Sequence, residues 1–175
     1  MASAGDVNGD GCSDVIVSAD LYDNGQTNEG RAYVYHGSAS GLSLTANWTA
    51  ESDQAGAFFG VSVAAAGDVN GDGYSDVIVG ADEFDNGQFS EGRAFVYHGS
   101  ASGLSLTANW TAESDQASAS FGYSVASAGA APAVRGQAIR HGVQRHGAGD
   151  RPGVQHRRAG GRAAARYRST WCLRD

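Results

Sequence analysis

The chain has 175 residues, room for one domain with a sizeable core, and 26 glycines against two prolines point to many tight turns. The net charge of −7 conceals a division: residues 1–129 hold two arginines, Arg31 and Arg93, against seventeen acidic residues, whereas residues 130–175 hold ten arginines against Asp150 and Asp175. No stretch approaches the roughly 18 apolar residues of a membrane span, and the opening Met-Ala-Ser-Ala-Gly-Asp has neither the basic nor the apolar part of a secretory signal, so neither is expected in this sequence.

The first organised feature is AGDVNGDGCSDVIVSAD at 4–20, which returns as AGDVNGDGYSDVIVGAD at 66–82. Gly5, Gly67 and Gly129 recur at intervals of 62 residues, and 4–65 differs from 66–127 at 11 positions, leaving 51 of 62 identical. Repetition with a long period indicates stacked or ring-forming units, none able to bury its own face alone.

Each copy opens with an acidic loop whose spacing suits a hard cation. Asp6, Asn8 and Asp10 alternate, and so do Asp68, Asn70 and Asp72, so a tightly curled loop can aim three side-chain oxygens inward. Gly73 supplies the sharp turn, Cys12 or Tyr74 offers a backbone carbonyl, and Asp14 or Asp76 closes the shell. Oxygen donors without histidine or thiolate favour Ca²⁺ over zinc or copper, and a divalent cation offsets the repulsion among three crowded carboxylates. An acidic turn is the plainer reading, since Asp, Asn and Gly are common in turns. Two copies in register, each with an Asp at the ninth position, favour the calcium loop. An EF-hand needs an acid at loop position twelve and flanking helices. Val17 and Val79 stand there, inside Val-Ile-Val runs, so the loop connects strand to strand.

The rest of the period reads as β. In the second copy FGVSVAAA at 59–66 alternates, DVIVGA at 76–81 is a buried β-branched run, and GRAFVYHGS at 92–100 alternates again, with Ala94, Val96 and His98 opposite Phe95 and Tyr97. LTANWTAES at 106–114 is a fourth, weaker strand centred on Trp110. The DNGQ turn at 85–88 and the small-residue loop at 99–105 connect them. Four short strands per unit is the arithmetic of a β-propeller blade; solenoid repeats are usually shorter. The first unit, 1–58, is expected to lack its first strand, 59–120 to be complete, and FGYSVASAG at 121–129 to open a third. Two blades' worth of strands cannot close a ring, so the chain is expected to be a fragment or, failing that, one member of an assembly.

FGVSVAAAGDVNGDGYSDVIVGAD at 59–82 resembles an FG-GAP repeat, the blade unit of integrin α-subunit propellers and of many bacterial surface proteins. Phe59-Gly60 matches the FG, and Gly80-Ala81-Asp82 stands where the family has Gly-Ala-Pro. Asp82 departs from that pattern, as does Ser18-Ala19-Asp20, though neither touches the acidic loop. The resemblance covers about 1–129. It implies an all-β propeller braced by structural Ca²⁺, in an extracellular or cell-surface adhesion or interaction protein whose ligand is a protein or a glycan. A non-catalytic appendage of a secreted hydrolase or phospholipase is the alternative it allows. No catalytic set such as G-x-S-x-G is present, and the chain is not expected to be an enzyme.

At 130 the repeat stops in mid-motif and an Arg-, Ala- and Gly-rich tail follows. It has no strand or helix period, so it is expected to be disordered. Its excess positive charge would suit a polyanion, but only Tyr167 and Trp171 offer stacking surfaces, and no nucleic acid is expected. An out-of-frame translation of a GC-rich gene explains the abrupt switch and the absence of lysine best. His141, His146 and His156 are irregularly spaced among arginines and read as incidental.

The remaining singular residues have structural readings. His36 and His98 recur at a strand end, Trp48 and Trp110 are expected in the core rather than on a glycan-stacking surface, and Arg31 and Arg93 are expected to pair with the neighbouring Glu29 and Glu91. Asn47-Trp48-Thr49 and Asn109-Trp110-Thr111 match the N-glycosylation acceptor pattern. Cys12 is replaced by Tyr74 in the second copy, so no repeated disulfide framework exists and an incidental thiol is expected.

Overall fold

The structure, a computed structural model, describes residues 1–129. Eight strands form two four-stranded antiparallel sheets, each a meander in chain order. The first contains β1 (Ala2–Gly5), β2 (Asp14–Ala19), β3 (Arg31–Tyr35) and β4 (Trp48–Glu51); the second contains β5 (Ser62–Gly67), β6 (Asp76–Ala81), β7 (Arg93–Tyr97) and β8 (Trp110–Glu113). This is the expected all-β, propeller-type arrangement of four-stranded blades. Among the described residues no helix is long and apolar enough to cross a membrane.

Register decides which side chains meet. Directly opposed residues of an antiparallel pair share a face, so Ala2, Ile16, Val34 and Trp48 form one row across the first sheet. Val63, Val79, Phe95 and Thr111 form a row across the second. The core lies between these two faces, where Ile16, Val34 and Trp48 pack with Val77, Val79, Phe95 and Tyr97. Trp48 meets the Tyr97 ring edge-on at 4.8 Å, and its indole N–H donates to the Ser105 carbonyl at 2.8 Å. Phe59 meets Phe95 edge-on at 5.3 Å. Burying an aromatic or branched side chain in this way contributes about 1.5–3 kcal/mol.

Each Phe-Gly pair docks on the repeat that precedes it. The Phe59 N–H donates to the Glu29 carbonyl at 3.1 Å, and the Phe121 N–H donates to the Glu91 carbonyl at 3.0 Å. The approach is close enough to require glycine at position 30: a Cβ there would lie 2.2 Å from the Phe59 carbonyl oxygen, and its φ is +77°.

Four expectations need correction. The first sheet does have a first strand: Ala-Ser-Ala-Gly suffices to pair Ala2 with Ile16 and Ser3 with Val15 before the register shifts at Gly5. Residues 121–129 do not form one. Phe121 makes a single parallel bridge to Gly92, and no strand follows among the described residues, because the run that should pair with it, a third Asp-Val-Ile-Val, is absent from the sequence. Arg31 and Arg93 pair not with their sequence neighbours but with Glu51 and Glu113, at 3.6 and 2.5 Å. These acids stand directly opposite them on the adjoining strand, where side chains share a face. Finally, Cys12 is disulfide-bonded rather than an incidental thiol; its spacing in the sequence carries no signal of that pairing. The tail readings for 130–175 also fall outside them.

Candidate functional site

The two acidic loops occupy the same place in the two sheets, the turn from first to second strand, and they close by the same hydrogen bonds. Asp68 Oδ1 accepts the Gly71 and Asp72 amides at 2.8 and 3.0 Å, and its Oδ2 accepts the Gly73 amide at 2.9 Å. Asp6 accepts the Gly9, Asp10 and Gly11 amides at 2.7, 3.1 and 2.9 Å. Asn8 and Asn70 each accept the amide two residues on at 3.0 Å. Asp10 accepts the Cys12 amide at 2.8 Å, and Asp72 accepts the Tyr74 amide at 3.0 Å. The Asp-x-Asn-x-Asp spacing thus produces successive side-chain-to-backbone turns, and Gly71 and Gly73 sit at positive φ where the chain reverses.

The ninth-position acids stand apart from the other three. Asp14 and Asp76 are fully buried. Asp76 accepts the Val69 amide at 2.8 Å on one oxygen and the Gly99 amide at 2.8 Å on the other. Asp14 takes the Val7 and Gly37 amides at 2.9 and 2.8 Å. Each therefore ties its loop to the residue two beyond the third strand. Burial pushes the Asp14 carboxyl above its ordinary range, against the pull of those two amides.

The candidate ligands are all present in each loop, but their carboxylates are turned onto backbone amides. Among the described residues no group of three or more His, Cys, Asp or Glu side chains is gathered as a metal centre. The donor chemistry nevertheless suits a hard cation. The side-chain donors are carboxylate and amide oxygens, each with two lone pairs. Asp72 Oδ2 receives only the Asn70 side-chain amide, and Asp76 gives one acceptor position per oxygen to the backbone. The Cys12 and Tyr74 carbonyls follow at the loop exits.

Two positions that sequence reasoning did not single out tie the loops together. The Ser75 N–H donates to the Asp6 carbonyl at 2.9 Å, and the Asp6 N–H donates to Ser75 Oγ at 3.1 Å, so the first loop is clamped to the exit of the second. Gly99 is the other: a Cβ there would lie 2.4 Å from the Ser75 carbonyl oxygen. Nothing inside the loop motif signals a partner 23 residues downstream. His36 and His98 stand next to these glycines, and their backbone N–H groups donate to Asn47 and Asn109 Oδ1, each at 2.9 Å. The asparagines of the two acceptor patterns therefore fasten strand ends. The tryptophans divide: Trp48 is buried, whereas Trp110 is 50% exposed.

The comparisons agree with this geometry. The family model described as "FG-GAP repeat" matches residues 2–35 and 59–97, the first three strands of each sheet with the acidic loop between them. Integrin alpha-6 of Gallus gallus is 35% identical over 129 residues, 69% of this chain and 11% of its own length. Integrin alpha-7 of Homo sapiens is 35% identical over 127 residues, 69% of this chain and 10% of its own. Integrin alpha-PS2 of Drosophila melanogaster is 36% identical over 107 residues, 56% of this chain and 7% of its own. The chain thus spans about a tenth of the curated relatives it matches, and within that span it carries FG-GAP repeats in integrin-like propeller blades.

Proposed function

We propose that the chain is a calcium-binding propeller segment of an extracellular or cell-surface adhesion or interaction protein, with a non-enzymatic role and a protein or glycan as ligand. The observation that carries this reading is the pair of acidic loops, alike in sequence, position and hydrogen bonding. Asp68, Asn70 and Asp72 would hold the ion by their side chains, Tyr74 by its carbonyl and Asp76 from beneath; Asp6, Asn8, Asp10, Cys12 and Asp14 would do so in the first loop. Calcium here is structural: it neutralises the carboxylates and stiffens the turn from which the second strand starts. Extracellular calcium modules bind with Kd of about 10⁻⁴–10⁻³ M.

Thermal unfolding in millimolar Ca²⁺ and in EDTA tests the reading. Chelation is expected to lower the Tm, and Asp72→Ala is expected to abolish about half of the calcium-dependent gain, leaving the first loop's share. Equal melting temperatures with and without Ca²⁺ would refute it.

A further inference from the structure

The two repeats have nearly the same letters but different surroundings. Val7 is fully buried and its counterpart Val69 is 52% exposed; Trp48 is 5% exposed and Trp110 is 50%. The difference runs the other way at the opposite end: Leu104 is 7% exposed and its counterpart Leu42 is 49%. Tyr97 is 4% exposed, while Tyr35 in the same register position of the first sheet is only half-buried. Every one of these pairs is separated by one repeat length, and in every pair the buried member lies in the interface between the two sheets. The exposed members make up the two outer faces.

On the second sheet that outer face is an apolar groove of about 500 Å³, lined by Val69, Ile78, Val96 and Trp110 and, from the last described segment, Ala126 and Ala128. It is the face that on the first sheet receives Tyr97 and the Ser105 carbonyl. The partner such a face fits is therefore known from within the molecule: a sheet whose facing side carries a Tyr at the Tyr97 position and a Leu at the Leu104 position. The outer side of the first sheet is that surface, with Tyr35 and Leu42.

We propose that the outer face of β5–β8 is a docking surface for the outer face of β1–β4 of a second copy of this chain. The contact repeats the internal interface: Trp110 packs on the second copy's Tyr35 as Trp48 packs on Tyr97, and its indole N–H reaches the second copy's Ser43 carbonyl as Trp48 reaches Ser105. Residues 123–129 lie at the margin of the groove outside any strand. Their Ala-Ser-Ala-Gly at 126–129 repeats β1 letter for letter. The segment stands where the second copy's first strand belongs, and it takes that position beside the second copy's β2 in place of the four-residue β1. Such a contact is head-to-tail, so each copy uses two different faces and the assembly grows by addition until a ring closes or a filament forms.

Sedimentation velocity on the full chain over a wide concentration range tests the proposal. The wild-type chain is expected to associate. Trp110→Arg and Leu42→Arg each remove one face at an exposed position, and each alone is expected to sediment as a monomer with unchanged far-UV circular dichroism. Mixed in equal amounts, the two variants are expected to give a species of two chains and nothing larger, since Leu42→Arg retains the groove and Trp110→Arg retains the sheet that fills it. Val69→Arg and Tyr35→Arg repeat the experiment should either first variant unfold. A wild-type chain that stays monomeric, its groove filled by its own residues or kept for another protein, would overturn the proposal. So would folded variants that fail to complement each other on mixing, because a symmetric dimer through one face cannot be rescued in that way.

Discussion

The sequence marks Asp76 as a candidate ligand, and the structure gives it a task that the loop motif does not reveal. Its two oxygens hold the Val69 and Gly99 amides, so it fastens the acidic loop to the end of the third strand. Hydrogen bonds to a charged group contribute about 1.5–3 kcal/mol each. Asp76→Ala is therefore expected to cost about 3 kcal/mol or more in urea unfolding, and to do so in EDTA, where Asp72→Ala on the exposed loop rim costs under about 1 kcal/mol. Asp82, which departs from the family's proline, also acquires a role. Burial raises its carboxyl above the ordinary range, opposed by its own backbone N–H and supported by the charge of Asp20. An acid raised in the folded state binds its proton more tightly there than when unfolded, so stability falls as the pH rises through that window. Asp82→Asn is expected to raise the Tm at neutral pH, with the gain shrinking to nothing as the pH falls below the ordinary carboxylate range.

Most strands could be read from the sequence because alternation and β-branched runs are local properties. DVIVGA at 76–81 is β6 to the residue, and the face assignment of Ala94 and Val96 against Phe95 and Tyr97 agrees with the register. What could not be read depends on a partner elsewhere in the chain. FGYSVASAG has the letters of a first strand and forms none, because a strand needs a neighbour to bond with. Arg93 lies two residues from Glu91 in sequence, yet Glu113 receives it, since Glu113 stands directly opposite on β8 whereas Glu91 is fully buried ahead of the strand and accepts the Asn86 amide. The same dependence separates the tryptophans of β4 and β8. Trp48→Ala is expected to cost about 3–5 kcal/mol, the range for a buried aromatic. Trp110→Ala, at the same register position, should cost the monomer less than about 1 kcal/mol. Equilibrium denaturation below the association threshold measures both.

Across the molecule, the period of 62 residues and the blade-like unit were legible in the sequence. The inequality of their environments was not, since sequence identity says nothing about which copy is covered. One further consequence follows from that near-identity. β4 and β8 share the same four letters, β2 and β6 differ at Ser18 and Gly80 alone, and β3 and β7 differ only at Tyr33 and Phe95. In the unfolded chain β2 therefore meets two almost equivalent partners, β3 across residues 20–30 or β7 across residues 20–92. Closing the longer loop costs less than about 2 kcal/mol extra, at about 0.6 kcal/mol per doubling of length. Fidelity of folding in this protein is therefore expected to rest on proximity along the chain more than on side-chain complementarity, with a minority of refolding molecules first pairing strands of different repeats.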